Sequence, residues 1–247
     1  MGTDDAVAPG RAAVIAQVAG ILWARAPGHP LRVAVDGITS SGKTTFASEV
    51  AEAVTAQGRP VARVSMDGYH HRRAHRHRQG RLSADGYYED AYDLDRAARE
   101  LLQPLGPGGP LGPGGPLGPR GPLDGGATRR YRDRIIDLAT DEPADSWAEA
   151  APETVLVVDG SFLQRAELRD HWDEVIYLDV AFEVALARGV ARDAAAFGGR
   201  DAATEAFTQR YHAAGHRYLA EVDPRRRATI VIDNNDLARP RLVRPER

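Results

Sequence analysis

The nine residues from Gly37 to Thr45, Gly-Ile-Thr-Ser-Ser-Gly-Lys-Thr-Thr, meet the spacing G-x-x-x-x-G-K-[ST] at every fixed position. A glycine-bounded loop of this length turns successive backbone N–H groups toward one point. A helix opening at Lys43 adds its positive end there, and together they bind phosphate. Lys43 can reach the β- and γ-phosphates of a nucleoside triphosphate such as ATP, and the Thr44 hydroxyl can ligate Mg²⁺. The expected cradle is Gly37, Thr39, Ser40, Ser41, Gly42, Lys43, Thr44 and Thr45. Without a ligand these residues would be only a Gly/Ser-rich turn, and the strand–loop–helix setting weighs against that.

Two carboxylates follow at the ends of apolar runs. Asp67, in Ser65-Met66-Asp67-Gly68-Tyr69-His70, can accept a proton from an attacking hydroxyl or cap the turn that follows, and position alone leaves both open. Asp159 closes Val157-Val158-Asp159-Gly160, the arrangement in which a carboxylate holds Mg²⁺ directly or through water.

These residues must be positioned by the elements around them. Runs rich in β-branched residues occupy 31–35, 61–66, 154–158, 174–178 and 228–232, mostly without alternation, as in parallel strands covered on both faces. Helical stretches lie between them at 43–56, 91–102, 181–194 and 201–221. The spacing of Val14, Ile15, Val18, Ile21 and Leu22 predicts a further helix within residues 1–27. The expected fold is α/β, a doubly wound five-stranded parallel sheet with helices on both faces, whose ligands sit beyond the carboxyl ends of the strands. Residues 28–239 form the main domain and 240–247 a tail. An insertion at 104–126 interrupts it, with glycine at every third position for six triplets between Gly106 and Leu123. The period is that of collagen, but a tract tethered at both ends reads better as an exposed loop whose deletion leaves the fold intact.

Composition bounds the rest. At 247 residues and 43% hydrophobic, the chain suits one α/β domain with an insertion. A net charge of −3 offers no basic field for nucleic acid, and the lack of cysteine excludes disulfides and thiolate chemistry. No apolar run approaches the roughly 20 residues of a membrane span, and the acidic start Met1–Asp5 has no signal-peptide pattern, so a cytoplasmic protein is expected. The segment His70–Arg78, with four histidines and five other residues, four of them arginine, reads as a cationic flap near the acceptor side or a solvated loop rather than a metal site.

The set Asp36–Thr45, Met66-Asp67-Gly68-Tyr69, Glu89–Asp93 and Val158-Asp159-Gly160, in this order, resembles the uridine kinase branch of the P-loop kinases, which includes phosphoribulokinase and bacterial pantothenate kinase. Arg188–Asp193 and Ile232–Asp236 extend the resemblance, which covers about residues 30–236 apart from the Gly-Pro insertion. It implies a P-loop NTPase fold with a lid, and a phosphotransferase that uses ATP and Mg²⁺ on a primary hydroxyl of a small molecule, foremost a nucleoside such as uridine or cytidine. Asp67 then becomes the base, Tyr69 and Asp90 contact the acceptor, Asp90 binding the ribose hydroxyls, and Arg192 closes over the phosphoryl group. Lys43, Asp67 and Arg192 are the expected catalytic residues, and Thr44 and Asp159 the metal ligands. At the positions where uridine kinases read the base, this chain has Ile136 and Asp141. That departure favours another acceptor: pantothenate, a sugar phosphate or a different hydroxylated metabolite. A nucleotide-gated binding or assembly protein is the alternative outside enzymes, and a homo-oligomer is compatible with either.

Overall fold

The computed structural model describes residues 10–109 and 128–243. Helix α1 (Arg11–Trp23) leads into strand β1 (Leu31–Gly37), helix α2 (Lys43–Ala56) and strand β2 (Val61–Ser65). A 3-10 turn, Met66–Tyr69, precedes three short helices, α3 (Arg73–Arg76), α4 (Ala84–Asp90) and α5 (Leu94–Ala97), and the last runs on as a π-helical turn, Ala98–Leu102. Strands β3 (Arg129–Asp137) and β4 (Glu142–Ala150) pair as an antiparallel hairpin. Then come β5 (Val155–Asp159), β6 (Glu174–Asp179), α6 (Phe182–Phe197), α7 (Arg200–Ala206), a π-helical turn Phe207–His212, α8 (Ala213–Val222), α9 (Pro224–Arg227), β7 (Ile230–Asp233) and β8 (Arg241–Val243).

The central sheet runs β2-β5-β1-β6-β7-β8. Its first five strands are parallel, which is the expected sheet, and β8 adds an antiparallel edge. The segment expected as a tail thus pairs with β7, and Arg241 meets Asp233 at 2.5 Å across that pairing. Side chains alternate across the sheet, so each face builds its own core. Val33, Val35, Val157 and Ile176 pack under Val18, Leu22, Phe46 and Val50 of α1 and α2. Ala34, Leu156, Val158 and Tyr177 pack on the other side with Leu101, Leu102, Leu163 and Tyr218. Residues 110–127, most of the Gly-Pro insertion, lie outside the described residues, as do residues 1–9 and 244–247.

Candidate active site

Strand order alone brings the chemistry together. Because β5 lies between β1 and β2, the loop after β1, Asp159 at the end of β5 and Asp67 just beyond β2 stand side by side at one sheet edge. At about 4.8 Å per strand step, the tips of β1 and β2 lie about 10 Å apart, room for a phosphorus and an attacking alcohol.

The loop from Gly37 to Thr45 needs its glycines. Gly37 has φ +152°, and a Cβ there would lie 2.7 Å from Ser41 Oγ and 2.9 Å from the Leu178 carbonyl oxygen. Gly42 has φ +94° and turns the chain into α2, whose first-turn N–H groups lack intrahelical partners. Outside the loop, Asn234 Nδ2 donates to Ser41 O at 2.8 Å. Arg11 of α1 donates to Asn234 Oδ1 at 3.3 Å and pairs with Glu49 of α2 at 2.7 Å, so three elements brace the loop. Asp36, fully buried before the loop, accepts from Gly37 N at 2.8 Å, Gln164 Nε2 at 3.0 Å and Tyr218 Oη at 2.6 Å. Burial pushes its carboxyl above the ordinary range, against the pull of those bonds. Asn234 falls in the Ile232–Asp236 run and Tyr218 is one of the residues at helical spacing with Phe207 and Tyr211 that the sequence offers as core packing, whereas nothing in the sequence pointed to Gln164.

Lys43, the single lysine of the chain, donates from Nζ to the Gly37 and Ile38 carbonyls at 2.9 and 2.8 Å. Burial lowers its pKa to about 8. Ser40, at φ +66°, keeps a buried Oγ without a partner among the described residues, as does Ser41, and Ser40 lines the cavity below. An orphan hydroxyl in a cradle of N–H groups fits an absent phosphate. Thr44 Oγ1 donates to Asp159 Oδ2 at 2.6 Å, and Arg63 holds Asp159 Oδ1 at 2.8 Å. Two hard oxygens beside a phosphate site fit Mg²⁺, which takes few protein ligands and completes its shell from phosphate and water. Among the described residues no group of three His, Cys, Asp or Glu gathers, so phosphate oxygens are needed to complete a cation site.

A cavity of about 180 Å³ gathers Thr39, Ser40, Gly42, Lys43, Thr44 and Thr45 of the loop with Asp67, Asp159 and Arg192. Gly37 and Ser41 are buried beneath it. The Asp67 side chain is 65% exposed and faces His70 Nε2 at 3.4 Å, while His70 Nδ1 donates to the Ala91 carbonyl at 2.8 Å and its ring stacks on Tyr92 at 4.3 Å. A hydrogen bond from His70 Nε2, which with Nδ1 donating to Ala91 requires the imidazolium form, holds the Asp67 carboxyl below the usual carboxylate range. Arg192, on α6, is exposed and pairs with Asp193 at 2.8 Å. Arg188 instead donates to the Asn234 and Asn235 carbonyls and acts as a brace. A second cavity, about 480 Å³, adjoins the loop between Arg11, Arg188, Arg192 and Leu237.

Two residues expected on the acceptor side are placed elsewhere. Tyr69 has no exposed surface, and its hydroxyl donates to the Arg132 carbonyl of the hairpin at 2.7 Å, so it is a packing residue. Asp90 is 1% exposed, bound through both oxygens to Arg78 at 2.5 and 2.9 Å and to Gln79 at 2.8 Å, and it does not line the cavity. The cationic segment is likewise no free flap. Arg76 is buried against Asp141 at 2.8 Å, Arg78 holds Asp90, and no residue from 70 to 78 lines the cavity.

No protein-family model matches the chain, and neither does any curated protein. Solved structures do match. A possible uridine kinase from Bacillus stearothermophilus aligns over 88% of this chain and 96% of its own at 23% identity and a TM-score of 0.63. A candidate fructose transport system kinase from Silicibacter sp. TM1040 aligns over 86% and 95% at 25% identity and a TM-score of 0.62. YFH7 from Saccharomyces cerevisiae, a candidate P-loop kinase with a circular permutation, aligns over 86% and 95% at 11% identity and a TM-score of 0.58. With its parallel sheet, its loop and these neighbours, the chain has the uridine kinase-like fold of the P-loop kinases.

Proposed function

We propose that the protein is a kinase that moves the γ-phosphoryl group of ATP to a primary hydroxyl of a small molecule. The observation that carries this reading is the shared cavity, in which an exposed carboxylate, Asp67, stands across from the phosphate cradle with Asp159 between. The triphosphate lies on the loop N–H groups and Lys43, and its base end extends into the adjoining cavity beside Leu237. Asp67 accepts the proton of the acceptor hydroxyl as the new O–P bond forms and the bond from the γ-phosphorus to the bridging oxygen breaks, releasing ADP. Arg192 swings from Asp193 onto the transferring group, where a guanidinium fork suits three charged oxygens. Thr44 and Asp159 would hold Mg²⁺, which supplies neutralisation of phosphate charge.

The sequence resemblance favours a nucleoside acceptor, and the likeness to the candidate fructose transport system kinase favours a sugar. Both are alcohols, and the chemistry is the same. Acceptor-dependent ADP release tests the reading. It should vanish in Lys43→Ala, whereas ATP hydrolysis that ignores every small acceptor and rises with a protein partner would support a nucleotide-gated binding protein instead.

A further inference from the structure

Three segments meet at Asp36, the fully buried carboxylate just before the phosphate loop, which the transfer chemistry does not use. Neutral donors hold it. Gly37 N and, more distantly, Leu163 N reach Oδ1 at 2.8 and 3.5 Å, while Gln164 Nε2 and Tyr218 Oη reach Oδ2 at 3.0 and 2.6 Å. A backbone partner fixes the sense of both side-chain bonds. Gln164 Nε2 also faces the Pro224 carbonyl, an acceptor, at 3.1 Å, so the amide nitrogen and not its oxygen points at Asp36. Tyr218 Oη accepts from Gln164 N at 3.0 Å, so its own proton goes to Asp36. A shell made of donors suits an anion, and a buried anion depends on each of them because water cannot replace a lost bond.

Through this carboxylate the loop is tied to elements remote in sequence. Gly37, whose N–H is fixed by Asp36, presents its carbonyl to Lys43 Nζ at 2.9 Å. Gln164 follows β5, and Tyr218 lies on α8, where Phe162 meets its ring edge-on at 5.3 Å. Helix α8 also rests against the loop directly. A Cβ on Gly215 would lie 3.5 Å from Ile38 Cγ2 and 3.1 Å from Phe182 Cε1 of α6. Asp36, Gln164 and Tyr218 line neither the cavity beside Asp67 nor the one beside Leu237. They can act on a ligand only by way of the loop.

Resting on the reading of this loop as a triphosphate site, we infer that Asp36, Gln164 and Tyr218 are positioning residues. They form a buried clamp that sets the backbone at Gly37, and with it the phosphate affinity of the loop, without touching the nucleotide.

The test is equilibrium binding of Mg²⁺-ATP and of inorganic tripolyphosphate to the full chain, well below its melting temperature. Tyr218→Phe keeps the ring and removes one donor, and it should raise both Kd values by the same factor, about fivefold or more. Gln164→Met, which removes another donor, should do likewise. Asp36→Asn turns an amide N–H toward a donor and should weaken both ligands further; where it does not fold, the other two variants still decide. Equal loss for both ligands locates the effect in the loop, because tripolyphosphate has no base. A clamp that serves stability alone would lower the melting temperature of Tyr218→Phe and leave both Kd values within about twofold, which overturns the inference. A loss confined to ATP, or a native protein that binds ATP but not tripolyphosphate, places the affinity outside the loop and overturns it too. A native protein that binds neither ligand removes the kinase reading instead.

Discussion

At the scale of single residues, the two groups that matter most are tuned in opposite ways. Lys43 is the only side-chain amine in the chain, and burial brings its pKa to about 8, so its neutral fraction grows as pH rises through that value. Acylation of the nucleotide-free protein should therefore yield one internal label, at a rate that climbs with pH and levels off above about 8. ATP should protect the site, because phosphate charge favours the ammonium. A labelling midpoint near that of a free lysine would contradict the burial argument. Asp67 is held ionised by His70. In His70→Ala its carboxyl should titrate closer to the ordinary carboxylate value, read by ¹³C NMR. Loss of one oriented hydrogen bond should lower kcat by roughly tenfold, equal to about 1.4 kcal/mol. The loop residues and Asp67 were legible in the sequence because spacing specifies them. His70 was read only as part of a charge run, since Ala91 and Tyr92, which orient its ring toward Asp67, lie on another segment. Tyr69 and Asp90 pack away from the cavity, a placement that sequence order does not show because it does not say which way a side chain faces.

At the scale of elements, the parallel strands were legible because burial on both faces demands near-continuous apolar runs. The β3–β4 hairpin was not. Its second strand, Glu-Pro-Ala-Asp-Ser-Trp-Ala-Glu-Ala, has no β-branched residue, and its support comes across the pair: Arg130 and Arg132 lie over the Trp147 ring at 4.5 and 5.2 Å, and Arg132 bonds Asp145 at 2.7 Å. The helix expected over 201–221 is α7, a π-helical turn and α8 in sequence, because Phe207 sits at the turn to pack against α6. That contact sets up a test. Gly189 of α6 lies where a Cβ would overlap the Phe207 ring. Alanine normally improves a helix over glycine by about 1 kcal/mol, but overpacking costs about 1–3 kcal/mol. Gly189→Ala should therefore destabilise the protein in denaturant unfolding by up to about 2 kcal/mol, whereas a stabilised variant would show that α6 and the π-helical turn do not pack this way.

At the scale of the whole molecule, one sheet edge gathers the phosphate loop, Asp159 and Asp67, which the proposed reading assigns to nucleotide, metal and acceptor. Among the described residues no helix is long and apolar enough to cross a membrane. The sequence made the sheet and the phosphate end readable because both follow from local pattern. It hid the far end of the cavity, where Ser65, Tyr87, Tyr92 and Ser161 come together from separate segments. Saturating ATP should stabilise the fold by about 2.7 kcal/mol at a hundred times its Kd, and Lys43→Ala should lose most of that gain in thermal unfolding. The central claim is that the Asp67 carboxylate faces the terminal phosphorus with an alcohol between. Single-turnover transfer from γ-labelled ATP to the acceptor, in the native protein and in Asp67→Asn, tests it most directly. The variant should bind ATP within a few-fold of the native protein and transfer the label roughly 10²–10⁴ times more slowly. Transfer at the native rate would contradict it.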